Sequence, residues 1–238
     1  MGKSMRLDKL ISKATELSRK EAKKILHAGE VTVNDEVVKD PGLHIDILND
    51  EVLWAGEPLS VATGNRYILL YKPEGFECTL KAKEYPIVTE LIAVPELQSL
   101  RMAGRLDVDT TGALILSDDG QFLHRITSPK HEHPKVYALT LADPMDADAQ
   151  ADAIKQVAKG ILLDGDYEPT KPATLEFIDE THAKLTLVQG KYHQVKRMMG
   201  YFGNKVIELH RESIGNITLD GLDKGDSRFL SEEEISQF

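Results

Sequence analysis

The chain has one cysteine, Cys78, so no disulfide can form within it. It also lacks the cysteine and histidine clusters that build structural zinc sites. The lack of a disulfide suits a reducing compartment. Long apolar runs are missing as well: stretches such as Tyr67-Ile68-Leu69-Leu70-Tyr71 fall far short of the ~20 residues needed to cross a bilayer. The N-terminus has no apolar signal-peptide segment, and Met1 to Ser4, ahead of a second methionine, read as a leader or an alternative start. Strands and helices do not alternate regularly, which disfavours a doubly wound sheet. What remains is an ordinary globular mixture, 41% hydrophobic and 29% charged, and a cytoplasmic location is expected.

A basic net charge is absent too. The formal charge of -10 argues at first sight against a nucleic-acid partner, but its distribution argues the other way. Met1 to Glu30 carries eight Lys/Arg against four Asp/Glu, and Gly190 to Arg211 carries five against one. Asp143 to Glu180 holds ten acids against three lysines. Two basic patches on an acidic body fit a polyanion bound on one face.

With 238 residues, the chain has room for a small module and a catalytic-size domain. Leu7, Leu10, Ile11 and Ala14 repeat with helical spacing. Ser18 with Glu21 forms a capping box for a second helix, which buries Ala22, Ile25 and Leu26 and stops at Gly29. Arg6, Lys9, Arg19, Lys23 and Lys24 crowd these two helices as candidate RNA contacts. Val31 to Val33 then turns through Asn34-Asp35 into Val37-Val38. The run MRLDKLI followed by SRKEAKKILHAGEVTVND resembles the S4-like RNA-binding domain. The expected module covers 5–61, Ser60 to Asn65 read as a linker, and a second domain covers 66–238.

In that second domain the pattern is mostly strand-like. Tyr67 to Tyr71 reads as a buried strand ended by Lys72-Pro73-Glu74-Gly75. Helices are expected over Ile87 to Ala93, Gln121 to Ile126, and Ala147 to Lys159 with Ile154, Val157 and Ala158 buried. A further helix carries Val195, Met198, Met199 and Phe202, and Ser231 with Glu234 caps a C-terminal turn. The fold class is α+β, a small S4-like module followed by a mostly antiparallel mixed sheet.

Chemistry is expected at GRLDVDTTG, Gly104 to Gly112, a polar loop delivered onto the strand-like Ala113-Leu114-Ile115-Leu116. Lys196 and Arg197 fall in the first turns of a helix, where the macrodipole disfavours cations, so a nearby anion better explains them: a phosphate, or a carboxylate of GRLD. Tyr137 sits in the alternating strand KVYALTL and is by default a core or cross-strand aromatic; His193 can simply serve a helix start. His131 and His133 lack the further ligands a metal needs, so no metal is expected, and RNA contacts suit them better beside Lys130 and Lys135.

GRLDVDTTG, the upstream LYKPEGF, KVYALTL and GKYHQVKRM, in this order behind the S4-like module, resemble the S4-domain-containing ribosomal RNA pseudouridine synthases. The resemblance spans nearly the whole chain. It implies isomerisation of one uridine to pseudouridine in 16S rRNA, free or within an assembling small subunit, by a monomer without cofactor or metal. It places the catalytic aspartate at Asp107, the active-site tyrosine at Tyr137 and the basic partner of the aspartate at Lys196, with Arg197 the alternative. Asp109 and Thr110 would shape the loop, and Arg105, His193 and Arg197 would contact RNA.

Two other readings compete. Asp107-Val108-Asp109-Thr110-Thr111 also matches the DxDxT signature of Mg²⁺-dependent phosphotransferases, but that motif should be followed by a helix, and here a strand-like run follows. An RNA-binding assembly factor using the second domain as a scaffold is the non-enzymatic alternative.

Overall fold

A computed structural model describes residues 4–15, 17–47, 49–59, 64–94, 97–128 and 130–238. Residues 60–63 of the expected linker and residues 1–3 of the expected leader lie outside it. The chain forms two compact units, Met1–Asn65 with Val94–Ser99, and Arg66–Ala93 with Leu100–Phe238. No helix among the described residues is long and apolar enough to cross a membrane.

The first unit packs the helices Leu7–Ala14 and Arg19–Ala28 over short strands. Both arms of the capping box at Ser18 are made, and Gly29 ends the second helix in the left-handed region. Asn34 and Asp35 both take positive φ, which folds Val31–Val33 back onto Glu36–Val37 as a tight hairpin. Leu7, Leu10, Ile11, Ala22, Leu26 and Val31 form the core. At its edge the fully buried Asp8 carboxylate accepts from Arg6 at 3.0 Å and from Arg19 at 2.8 Å. Burial pushes the Asp8 carboxyl up, and the two guanidiniums outweigh that and hold it below the usual carboxylate value.

The second unit is built on a nine-stranded sheet among the described residues. Its main path runs Thr174–Phe177, His182–Leu187, Lys135–Leu141, Val206–Ile214, Thr110–Ser117, Tyr67–Lys72, Ser227–Phe229. All pairings are antiparallel but one: Thr110 to Gly112 run parallel to Leu209 to Arg211. That exception brings the GRLDVDTTG loop beside a strand about a hundred residues downstream. Gly112 makes it possible, because a Cβ there would collide with the Arg211 carbonyl oxygen.

Tyr137, Leu139 and Leu141 point into the core while their neighbours are half-exposed, as the alternation predicts. Two expectations need correction, and one strand is additional. Ile87 to Ala93 is not an α-helix; only a short 3₁₀ turn forms, Val88–Leu91, because Ile87, Val88 and Thr89 are β-branched and Ile87 bridges Glu77 instead. The helix expected to Lys159 runs Ala147–Val157, and it buries Ala153 and Val157 while Ile154 and Ala158 are exposed. The strand Ser227–Phe229 carries no alternating signal; it is recruited by the edge of Tyr67–Lys72.

Candidate active site

Lys72 ends an apolar strand and is fully buried, an unusual place for an ammonium. It donates to the carbonyls of Pro73 at 2.9 Å, Val108 at 3.3 Å and Thr110 at 2.8 Å. Gly75 N–H adds a second bond to the Val108 carbonyl at 2.8 Å. LYKPEGF therefore holds the 107–110 turn from below. Burial depresses the Lys72 ammonium, although the Cys78 thiol, Asp109 and Asp107 pull the other way. Cys78 lies in the same layer: its Sγ accepts from Leu106 N–H, and burial pushes its thiol up.

Above this clamp, Asp107 stands at the wall of a cavity of about 330 Å³, a size suited to a small organic ligand. Its side chain is 32% exposed. His193 Nε2 lies 3.1 Å from one carboxylate oxygen and Lys196 Nζ lies 3.6 Å from the other. The same ammonium donates more closely to Asp109, at 2.6 Å and 2.8 Å. Lys196 thus bridges the two carboxylates of the loop, with Asp109 its nearer partner. Burial pushes the Asp109 carboxyl up, and the Lys196 hydrogen bond and charge outweigh that and bring it below its usual value. Arg197 turns elsewhere, to the Asp166 carboxylate and the Asp164 carbonyl, each at 2.6 Å. The structure brings Lys196 to Asp107, not Arg197.

The cavity floor is the sheet. Lys135, Tyr137, Leu187, Leu209 and Arg211 line it, and the strand register makes Tyr137 the neighbour of both Arg211 and Leu185. Tyr137 is 8% exposed and its phenol oxygen accepts from Arg211 Nη1 at 3.3 Å. Arg211 is nearly fully buried; its Nε donates to the Ala113 carbonyl at 2.7 Å, and its Nη2 makes no hydrogen bond among the described residues. Lys135, also desolvated and beside the Arg211 charge, is lowered to about 8. The floor is thus apolar with two cations and a phenol set into it.

Of the other candidates, Arg105 is exposed and lines both this cavity and a groove that adjoins it. Lys9, Lys23 and Lys24 are exposed on the two helices of the first unit. Arg6 and Arg19 are engaged by Asp8, with their side chains 43% and 53% exposed. His131 and His133 stack at 6.0 Å between ring centroids. Among the described residues no group of three or more potential metal ligands gathers anywhere.

Sequence reasoning passed over Lys72, Lys135 and Arg211. Lys135 and Arg211 are cations at positions where the alternation of their strands calls for a buried side chain, and that clash was the available signal.

Residues 66–201 match the family model described as RNA pseudouridylate synthase, and residues 5–52 match the S4 domain. A protein of Vibrio cholerae named ribosomal small subunit pseudouridine synthase A is 48% identical, over 98% of each chain. Proteins of the same name from Pasteurella multocida and Escherichia coli are 46% and 44% identical, over 98% of this chain and 99% of theirs. A crystal structure of a pseudouridylate synthase superposes with a TM-score of 0.67 at 44% identity, covering 98% of each chain.

Proposed function

Because this chain belongs to the RNA pseudouridine synthase family, in the group that carries an S4 domain, we propose that it isomerises one uridine of 16S ribosomal RNA to pseudouridine, with Asp107 as the catalytic carboxylate. The observation that carries this reading is the position of Asp107: beside a cation and an imidazole, at the wall of a cavity floored by Tyr137.

The reaction moves ribose C1′ from N1 to C5 of the same uracil. The C1′–N1 bond breaks with its electron pair left on the base, C5 bonds to C1′, C5 loses its proton and N1 gains one. Reactant and product are isomers, so no external oxidant, group donor or cofactor enters the balance. The carbon that loses N1 becomes oxocarbenium-like, and an ionised carboxylate stabilises or captures it. Uracil departs as a delocalised anion, so one carboxylate suffices where a glycosidase needs two. Lys196 at 3.6 Å sets a counter-charge beside the Asp107 carboxylate in the cavity.

A uridine in structured RNA must leave its stack to reach this carboxylate, which costs a few kcal/mol. Tyr137 offers the extruded base a face, and its phenol, already accepting from Arg211, keeps its own proton to donate. The module over 5–61 grips the RNA through Lys9, Lys23 and Lys24, with Arg6 and Arg19 contributing from their Asp8 clamp. Arg105 and His193 meet the RNA beside the target, and Arg197 supports the 164–166 loop at its margin. The catalytic unit is taken as 66–238. The protein acts as a cytoplasmic monomer on 16S rRNA, free or within an assembling small subunit.

Pseudouridine mapping of 16S rRNA tests this reading. Cells that lack the gene should miss one pseudouridine, this chain should restore it, and Asp107→Asn should not. Restoration by Asp107→Asn would refute Asp107 as the catalytic group.

A further inference from the structure

Next to the catalytic cavity lies a second groove, of about 610 Å³, lined by Thr79, Lys83, Arg105, Asp107, Tyr192 and His193. Arg105, Asp107 and His193 also line the catalytic cavity, so the two adjoin. Tyr192 is 70% exposed, and one face of its ring is stacked on His193 with 3.7 Å between centroids and 22° between planes. The other face is open. His193 in turn holds the Asp107 carboxylate at 3.1 Å. Phenol, imidazole and carboxylate therefore form one continuous row leading out of the site.

The row is held by unusual backbone. His193 takes φ of 48°, a left-handed conformation that non-glycine residues adopt at a cost of about 1–3 kcal/mol. From there the Gln194–Tyr201 helix starts, and the Lys191 ammonium anchors the preceding turn to Asp166 at 2.7 Å. Such strain, spent on holding an exposed aromatic outward, needs a use. Lys83 and Arg105 are exposed cations of the same groove. The one acid of its far wall, Glu77, is turned onto the backbone N–H groups of Lys83 and Glu84, both at 3.3 Å.

An open aromatic face flanked by cations is the surface on which an unpaired base stacks while its phosphate is neutralised. We propose that Tyr192 is the stacking platform for the nucleotide adjoining the target uridine in the same RNA strand, with Lys83 and Arg105 holding its phosphate. This rests on the reading of Asp107 as the catalytic group. Extruding the target leaves its neighbour without a stacking partner, and Tyr192, two steps along the row from Asp107, replaces what was lost.

The test measures equilibrium binding of a 16S rRNA transcript, with Asp107→Asn as the background so that no turnover intervenes. Tyr192→Ala should weaken binding by about 5- to 150-fold, and Tyr192→Phe should restore it to within about twofold. Because stacking releases no counterions, the slope of log affinity against log salt should not change in Tyr192→Ala. Lys83→Ala should reduce that slope by about 0.7. In the Asp107-containing enzyme, Tyr192→Ala should lower kcat/KM by the same factor as the affinity. Binding by Tyr192→Ala within twofold of its parent, or a Phe variant as weak as Ala, would overturn the proposal. Loss of the stacking effect with pseudouridine formation intact sinks this inference alone. A wild-type chain that binds through Tyr192 and makes no pseudouridine sinks the catalytic reading instead.

Discussion

Replacing Lys72 by methionine tests how the 107–110 loop is held. The side chain keeps its length and loses its charge and three hydrogen bonds. The Val108 carbonyl retains Gly75 N–H as a partner, so the main penalty falls on the Thr110 and Pro73 carbonyls. A buried acceptor left without its donor costs about 1–3 kcal/mol, and a half-exposed one regains water and costs less. Removing an ammonium whose burial is itself unfavourable offsets part of this. The net loss should be about 2–3 kcal/mol, read as a shift of the urea midpoint with an unchanged slope. Turnover should fall further, by about 10²-fold, because a displacement of about 1 Å in a positioned carboxylate costs that much. RNA affinity should hold, since Lys72 is fully buried. The pH dependence gives a signed check. Lys72 titrates below its ordinary 10.5 in the folded chain, so the folded state releases that proton first and its stability rises with pH between the two values. The stability gap between wild type and Lys72→Met should therefore widen as pH rises toward 10.5. A gap that narrows, or a variant with wild-type kcat, would refute the clamp.

The remaining predictions concern the site's cation and the RNA-binding module. Lys196→Met removes the ammonium shared by Asp107 and Asp109 and should lower turnover by about 10²-fold or more, with a far smaller loss of RNA affinity; equal losses would remove Lys196 from the reacting centre. Asp109 titrates below 3.8 in the folded chain, so its contribution to stability is present above 3.8 and lost as pH falls through the lowered value. The same variant should accordingly cost stability at pH 7 and progressively less in acid, measured by thermal melts. Deleting residues up to Val61 should leave 66–238 folded by circular dichroism. Without the exposed Lys9, Lys23 and Lys24, the salt slope of RNA binding should be shallower by about 2–3. An unchanged slope would place the footprint elsewhere.

Features set by neighbours in sequence were legible before the structure. Both capping boxes, Ser18 with Glu21 and Ser231 with Glu234, form as the pattern requires. The two-faced strand at Lys135–Leu141 does so as well. Such signals need only a few contiguous residues. The loop GRLDVDTTG, which lines the cavity, stood out as a polar segment delivered onto a strand, yet its contacts could not be resolved there. Whether Lys196 or Arg197 reaches Asp107 depends on the 164–166 loop, whose Asp166 draws Arg197 away. Lys72 looked like part of a Pro/Gly turn, because nothing local reveals that carbonyls thirty-six and thirty-eight residues on will surround it. The helix misassigned at 87–93 failed for the same reason: a bridge to Glu77 outweighed local periodicity.

Gly112 carries a consequence for how the enzyme comes into being. The backbone of its strand touches that of Arg211 with no room for a side chain, and the two residues are far apart in the chain. A ribosome extending this polypeptide completes the helices of the basic module first, and Asp107 next. It reaches the partner strand Val206–Ile214 only near the end. Until that strand docks, the floor has Lys135, Tyr137 and Leu187 but lacks Leu209 and Arg211. Contacts of such long separation form late. A growing or truncated chain thus acquires the means to hold RNA well before it acquires the means to alter it.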